Sequence, residues 1–136
     1  MTNIMANLPF SHIEGKLILD GKEYSIETFK IKFSQPVDYK GQPQHEIKGG
    51  QLIITITQAV DNNLYLWAKT STMLKGGQVL FHTDLGITVL RINFSNAYCI
   101  TLARDINTMA GTNTSIVIAP EIVTMNGIEH DNFWPK

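Results

Sequence analysis

The stretch Gly41-Gln42-Pro43-Gln44-His45-Glu46-Ile47-Lys48-Gly49-Gly50-Gln51-Leu52-Ile53-Ile54-Thr55-Ile56-Thr57-Gln58 joins a polar loop to the strongest strand signal in the chain. Every residue from 52 to 57 is aliphatic or β-branched, and the side chains alternate with period 2. The pattern predicts a strand with a core on one side and a half-polar environment on the other. The two faces carry, respectively, Leu52, Ile54 and Ile56, and Ile53, Thr55 and Thr57.

The length and composition are those of one globular domain, which we assign to residues 1–136. Apolar residues make up 43% of the chain and charged residues 17%, which excludes an intrinsically disordered protein. A chain of this size buries roughly two thirds of its unfolded surface, enough for a full core without disulfides. Residues 1–13 precede the first strand pattern and are predicted to be an N-terminal extension.

The charge pattern and the first residues limit the partners and the location. The formal net charge is −1 without any run of like charges, which does not favour binding to nucleic acid or to a membrane surface. The single cysteine excludes an internal disulfide and fits a reducing compartment. Residues 1–10 lack the features of a signal peptide, and no apolar run approaches the ~20 residues of a membrane span. We therefore expect a cytoplasmic protein that, if exported, needs no cleavable signal.

Strand patterns and turn residues alternate along most of the chain. The runs Lys16–Leu19 and Glu23–Phe33 flank an Asp20-Gly21 turn, and the apolar phase of the second run shifts near Thr28-Phe29. Such a shift indicates a bulge or a strong bend, as barrels need. Further strands are predicted at 51–58, 78–82, 87–94, 97–102 and 114–123.

The connections between the later strands are predicted from their turn residues. Arg104–Asn113 is interpreted as a polar loop. Alternation in the strand at 97–102 predicts that Tyr98, Ile100 and Leu102 point inward. The same alternation predicts that Cys99, Thr101 and Ala103 point outward. Short turns or links are predicted at Asp84-Leu85-Gly86, Ser95-Asn96 and Asn126-Gly127.

One helix is predicted between the strands. Asp61 is its N-cap, and Leu64, Trp67 and Ala68 form one apolar stripe. Near the end of the sequence, Phe133-Trp134 is expected to clip onto the strands as a packing anchor. With about seven or eight short strands joined by short links, the predicted fold is mainly β: an antiparallel β-barrel of two sheets with one flanking α-helix.

The residues give no catalytic, metal or cofactor site. Lys48-Gly49-Gly50-Gln51 recurs as Lys75-Gly76-Gly77-Gln78, but neither copy has phosphate-loop spacing or opens a helix. We interpret both as positive-φ or close-approach positions at the start of a strand. The four histidines are far apart, and Cys99 between apolar neighbours fits a small buried hydrophobe. We expect no cofactor, no metal and no enzymatic activity.

The order of motifs over most of the chain resembles a known family. It is similar to Hcp, or TssD, the inner-tube protein of type VI secretion systems, in its Bacteroidetes-like form. The residues that carry the resemblance are Asp20-Gly21-Lys22-Glu23-Tyr24, Gln35, Asp38, Gly41, Pro43, Gly49-Gly50, Leu64, Trp67, Gly76, Phe81, Leu90, Phe94, Ala97-Tyr98-Cys99, Ile118-Ala119-Pro120-Glu121-Ile122, Asn126-Gly127 and Asn132-Phe133-Trp134.

The resemblance implies a structural subunit that acts through assembly. Six copies would form a ring, and rings would stack into a tube inside a contractile sheath tipped by a spike. Sheath contraction would propel the tube, effectors could ride in its lumen, and the protein would leave the cytoplasm through this apparatus. The implied partners are further copies of the chain, the sheath and spike proteins and effector cargo, without nucleic acid and without membrane insertion of its own.

Two surfaces are predicted to serve assembly. The long loop at 34–47 is the candidate for contacts between rings or subunits, because long loops in compact domains are usually functional. A water-filled lumen favours small or polar side chains on the second face of the strands. The interface residues are Gln35, Val37, Asp38, Tyr39, Gly41, Pro43, His45, Gly49 and Gly50, and the lumen residues are Thr55, Thr57, Asn93 and Thr101.

Two alternatives remain open at this point. The first is a tail-tube protein of a related phage-like or extracellular contractile injection system, which uses a related subunit. The second is a small-ligand-binding β-barrel, which needs a roomy interior. The quantity of Leu, Ile, Phe and Tyr on the predicted core faces favours a filled interior instead.

Overall fold

The computed structural model describes residues 12–34, 40, 48–57 and 61–135. In this part of the chain, antiparallel strands form one sheet in the order β3-β2-β1-β4-β5-β6-β7, and a β3–β6 pairing closes it into a barrel. The predicted fold class is therefore confirmed. In chain order the elements are β1 (Ile13–Leu19), β2 (Lys22–Ser34), β3 (Lys48–Ile56), α1 (Asn62–Lys69), β4 (Lys75–Thr83), β5 (Thr88–Asn107), β6 (Gly111–Met125) and β7 (Ile128–Asp131).

The barrel has two walls, because β2, β5 and β6 are long and bend from one wall into the other. The front wall has the strand order β2-β3-β6-β5 and consists of residues 28–34, 48–56, 111–118 and 98–107. The back wall has the order β2-β1-β4-β5-β6-β7 and consists of residues 22–26, 13–19, 75–83, 88–97, 120–125 and 128–131. Helix α1 packs against β5 and covers the corner where β4 leaves β5 beyond Ala97.

Bulges accompany the bends of the long strands. The register of β2 against β3 slips between Ile26 and Thr28, which confirms the bulge predicted from the phase shift in this run. The register of β5 against β6 slips between Cys99 and Thr101. A one-residue slip reverses which residues of a strand face the core.

The slip in β5 overturns part of the sequence-based prediction. Ile100 is 52% exposed whereas Cys99 is 5% exposed, so the predictions that Ile100 points inward and Cys99 outward are both wrong. The strand also continues through Ser95-Asn96, which is therefore not a hairpin link; Asn96 adopts a φ of 50° where the register against β4 slips. Most of the predicted Arg104–Asn113 loop is strand as well, because the pairing of β5 with β6 extends to Asn107 and Gly111.

Apolar side chains from both walls and from α1 fill the interior. Trp67 is 1% exposed, and its Nε1 donates to the backbone oxygens of Met73 (3.1 Å) and Ala97 (3.2 Å). The indole thus joins the helix to the segment after it and to β5. The predicted inward face of β3 is also confirmed, since three of its residues are 0% exposed: Leu52, Ile54 and Ile56.

The helix N-terminus is fixed by the hairpin of β1 and β2. Asp61 caps the helix, as predicted, by accepting a hydrogen bond from the backbone nitrogen of Asn63 (3.2 Å). Its carboxylate also accepts a bond from the Tyr24 hydroxyl (3.1 Å) and pairs with Lys22. The Lys22 hydrogen bond, opposed by burial and helped by Tyr24, lowers the pKa of Asp61. Burial, together with the adjacent Asp61, raises the pKa of Tyr24 to about 12.

No helix in the described part of the chain is long and apolar enough to cross a membrane.

Candidate assembly surfaces

The outer face of the front wall carries small and polar side chains in rows across its four strands. Strand alternation sends the even-numbered residues of β3 into the core, so Thr55 points away from it. In one row Thr55 lies opposite Thr28 on one side and Ser115 on the other, and Ser115 lies opposite Ala103. The next row is Lys30, Ile53, Val117 and Thr101. Apart from Ile53 and Val117, these rows offer no large apolar side chain, which suits contact with water.

The structure brings together three of the four residues predicted to face a lumen. Thr55 and Thr101 occupy adjacent rows of the front wall, and Thr57 is exposed directly after β3 ends. Asn93 lies instead on the back wall, where it sits opposite Gln78 and accepts a hydrogen bond from its amide (3.2 Å). Asn93 therefore does not share a surface with the three threonines.

Most of the residues predicted for subunit contacts lie outside the described part of the chain. Of the predicted contact residues, only the glycine pair at the start of β3 lies in the described part. Gly49 has a φ of 137°, and a Cβ there would lie 2.4 Å from the backbone oxygen of Lys32. Gly50 has a φ of 81°, and its Cβ would lie 2.8 Å from Val123 Cγ1. The residues outside the described part are Gln35, Val37, Asp38, Tyr39, Gly41, Pro43 and His45.

The glycine pair thus lets β3 begin close to its neighbours, which supports the interpretation as a positive-φ position at the start of a strand. The second Lys-Gly-Gly copy works by close approach alone, since a Cβ on Gly77 would lie 2.7 Å from the backbone oxygen of Ile18. In both places a strand comes too near another strand for a side chain to fit. Neither glycine pair opens helix α1, so neither has the helix N-terminus that a phosphate loop uses.

The segment after β7 closes the seam between the two walls. The amide of Asn132 donates to the backbone oxygens of Gly49 (3.0 Å) and Pro120 (3.1 Å). Trp134 stacks on Tyr98 with ring centroids 5.3 Å apart, as expected for a packing anchor. Phe133 is 81% exposed, so only the second residue of the predicted aromatic clip packs on the barrel.

The front wall ends in a strand edge on each side. On the β2 side, residues 28–34 pair with β3 but with no other strand of the described chain. On the β5 side, residues 98–107 pair with β6, while β4 stops at Ala97. Free edges present unpaired backbone groups and are templates for pairing with another chain. The front wall therefore offers two such edges on one protomer.

The β5 edge extends into a ribbon that sequence reasoning missed. At its base, the guanidinium of Arg104 donates to the Tyr65 hydroxyl and to Thr112 Oγ1. At its tip, Asn107 Oδ1 accepts bonds from the backbone nitrogens of Met109 (2.8 Å) and Ala110 (2.9 Å). Met109 is 93% exposed. The Asn107 and Gly111 pair around a three-residue turn was the sequence signal that could have identified this hairpin.

The described part of the chain shows no cluster of metal-ligating side chains. Among the described residues, no three His, Cys, Asp or Glu side chains could hold a metal ion together. Burial raises the pKa of the Cys99 thiol to about 11, which agrees with its interpretation as a small buried hydrophobe. What the geometry does provide is a pair of free strand edges and a polar outer wall.

Comparisons with known proteins identify the family. The family of the hemolysin-coregulated protein Hcp (TssD) matches residues 11–135. The chain belongs to the Hcp (TssD) family. This family supports a role as a tube protein of type VI secretion and supports association of the chain with copies of itself.

Solved structures share the Hcp fold. Hcp1 from Flavobacterium johnsoniae is 23% identical with a TM-score of 0.80, and the match covers 88% of this chain and 99% of that one. Hcp1 from Salmonella typhimurium is 9% identical with a TM-score of 0.70 over 84% of this chain and 85% of that one. The sheath/tube terminator of the extracellular contractile injection system PVC is 13% identical with a TM-score of 0.60, covering 82% and 92%. Comparison with curated proteins found no match.

Proposed function

We propose that the chain is the inner-tube subunit of a type VI secretion system. Six copies form a ring, rings stack into a tube, and sheath contraction propels that tube with effectors in its lumen. The observation that carries the proposal is the match of the Hcp family to residues 11–135, on a barrel whose front wall has a free strand edge on each side.

The directions of the two free edges support closure into a ring. Across the front wall β2 is antiparallel to β3, β3 to β6 and β6 to β5, so β5 of one copy can pair antiparallel with β2 of the next. Such head-to-tail contacts close into a ring when the rotation per subunit allows it. Each new backbone hydrogen bond contributes about 1 kcal/mol, and closure removes both exposed edges.

In this arrangement the outer face of the front wall lines the lumen. Thr55, Thr57 and Thr101 present hydroxyl and methyl groups to water, and Lys30 and Lys32 add positive charge on β2. A wall of this kind binds no partner tightly through apolar contact. It suits a channel that carries folded cargo without holding it.

Contacts between stacked rings are assigned to the loop between β2 and β3. The residues proposed for it are Gln35, Val37, Asp38, Tyr39, Gly41, Pro43 and His45, with Gly49 and Gly50 fixing where the loop rejoins the barrel. The remaining partners are the sheath, the spike and effector cargo. The subunit is made in the cytoplasm, is exported by the type VI apparatus without a signal peptide, and acts without catalysis or a cofactor.

The test is the mass of the purified chain in solution, followed by electron microscopy. The proposal expects a particle of six chains and ring-shaped images at micromolar concentration. A chain that stays monomeric at high concentration would contradict it. Rings with another number of subunits would retain the tube role but refute the hexamer.

A tube subunit of a related contractile injection system is the second candidate. The fold similarity to the PVC sheath/tube terminator, with a TM-score of 0.60, favours it. Co-expression with type VI sheath and spike proteins separates the two, because only a type VI tube subunit should assemble with them. A ligand-binding barrel finds less support, since buried Leu, Ile, Val, Phe and Trp side chains fill the interior.

A further inference from the structure

The residues before the first strand are not accounted for by the family. The family match begins at residue 11, and the described chain begins at His12. The preceding segment carries no charged side chain but five large apolar ones. They are Met1, Ile4, Met5, Leu8 and Phe10. A segment of this composition is stabilised when its apolar side chains are buried against an apolar surface.

The position of His12 determines where this segment leaves the barrel. Pairing of β1 with β2 ends at Gly15 and Ile26, whereas Ile13 is still paired with Thr83 of β4. The chain therefore leaves at the corner where β2 turns into the front wall. Traced from Leu19 back to Ile13, β1 runs in the same direction as β2, so the start of β1 points toward the free β2 edge.

At the opposite corner of the barrel lies a surface cavity of about 380 Å³ between the end of α1 and the free edge of β5. Ala68, Tyr98 and Ile100 contribute apolar side chains to it, and Ser71 stands at its rim. Ile100 is 52% exposed because the bulge in β5 turns it out of the core.

We propose that residues 1–11 of one copy bind in the α1–β5 cavity of the neighbouring copy. The inference rests on the proposed ring, in which the β2 edge of one copy meets the β5 edge of the next. That contact sets the β2 edge, at one end of which the segment leaves, against the β5 edge, whose other end α1 covers. The occupant is therefore a defined part of a second copy of this chain.

The distances allow this contact. The rows of the front wall place Thr28 level with Ala103, so the segment leaves near the level of Ala103 in the neighbour when the rows continue across the contact. From Ala103 to Tyr98 is ~17 Å along β5, given about 3.3 Å per strand residue. Residues 1–11 span at most ~36 Å when extended. Leu8 lies five residues before Ile13 and Ile4 nine, which allows spans of up to ~17 and ~30 Å, so Ile4, Met5 and Leu8 can reach the cavity.

A disulfide between two introduced cysteines tests the contact directly. The variant Leu8→Cys with Ser71→Cys should form covalent links between chains on mild oxidation, seen as a ladder on a non-reducing gel. Its matched control is Leu8→Cys with Ser95→Cys, because Ser95 is exposed on the back wall. Native Cys99 also lines this cavity, so both double variants carry Cys99→Ala, which removes its contribution to the cross-links. A disulfide that forms within single chains, or a ladder equally strong in the control, would overturn the proposal.

Removal of residues 2–10 and the substitution Leu8→Glu test the energetic contribution. Both should raise the protein concentration at which half of the rings dissociate by at least about tenfold, equivalent to 1.4 kcal/mol. An unchanged concentration would overturn the inference while leaving the ring in place. The two failures are distinguishable by the full chain. If it forms no ring, the proposed function fails. If it forms rings that are as stable as those of the two variants, only this inference fails.

Discussion

The front and back walls differ in their side-chain contacts between strands and in their unpartnered strand edges. The back wall is tied by side-chain contacts between neighbouring strands, such as Lys16 to Glu23 (3.3 Å) and Asn126 Oδ1 to the backbone nitrogen of Arg91 (3.1 Å). In the described chain the unpartnered strand edges of the front wall, residues 28–34 and 98–107, are longer than those of the back wall, residues 22–25 and 128–131. The capacity to assemble is therefore located on the front wall.

The helix and the glycine pair hold the front wall in the geometry that leaves its edges free. Trp67 joins α1 to the backbone of β5 just where β4 departs. Gly49 lets β3 begin against β2 at the opposite end of the wall. If this division is correct, substitutions at these two positions should cost stability, whereas substitutions along the edges should affect assembly alone.

The largest effect is expected from Trp67→Ala. Removal of a side chain that is 1% exposed leaves a cavity and two unsatisfied backbone oxygens, and should lower the free energy of unfolding by about 3–5 kcal/mol. Denaturant unfolding measures it. Leu66→Ala on the same helix is the control, because Leu66 is 50% exposed and should change stability by less than about 1 kcal/mol. Equal losses for both variants would show that the helix does not tie the walls together.

Gly49→Ala should rank second. Its Cβ would collide with the backbone of β2, where Lys32 O lies 2.4 Å away, and the φ of 137° adds strain. We expect a loss of about 2–3 kcal/mol in thermal or chemical unfolding. Gly86→Ala is the matched control: its φ is 85°, but nothing lies within 4 Å of its Cβ, so only the strain of about 1 kcal/mol applies. A control that loses as much as Gly49→Ala would remove the role of close approach.

The sequence predicted the fold class because alternation and turn chemistry are local signals. Three features follow from residues that are only a few positions apart in the sequence: the inward face of β3, the Asp61 N-cap and the Asn126-Gly127 turn. The uninterrupted course of β5 and its bulge at Ile100 did not, because Ser95-Asn96 has the local composition of a turn while pairing with β4 and β6 overrides it. Tertiary pairing decided what local preference could not.

The candidate surfaces were predictable only in part for the same reason. Thr55 and Thr101 share a wall since they belong to the strands whose alternation was recognised. Asn93 was assigned with them, yet β5 bends between Asn93 and Thr101 and carries the two residues onto different walls. A bend of this kind depends on which strands pair on each side, which no local pattern encodes.

An edge substitution should separate assembly from stability. Arg104→Ala removes the hydrogen bonds to Tyr65 and Thr112 that fix the ribbon, and exposed polar pairs of this kind contribute less than about 1 kcal/mol to folding. The melting temperature should therefore stay nearly constant while the ring dissociates at a higher concentration. Arg91→Ala on the back wall is the control and should alter neither quantity. Weaker assembly in both variants would end the distinction between the walls.

The smallest effect concerns the carboxylate that joins α1 to the β1–β2 hairpin. The pKa of Asp61 is lowered in the folded chain, chiefly by the Lys22 hydrogen bond, so its contribution to stability is present above the ordinary value of 3.8 and is lost as the pH falls through the lowered value. Because the side chain is 31% exposed, the loss should stay below about 1 kcal/mol. Asp61→Asn keeps a good N-cap but removes the charge, so its unfolding free energy should fall less steeply below pH 4 than that of the parent. Parallel curves for the two proteins would show that the cap, and not the charge on Asp61, holds the helix to the hairpin.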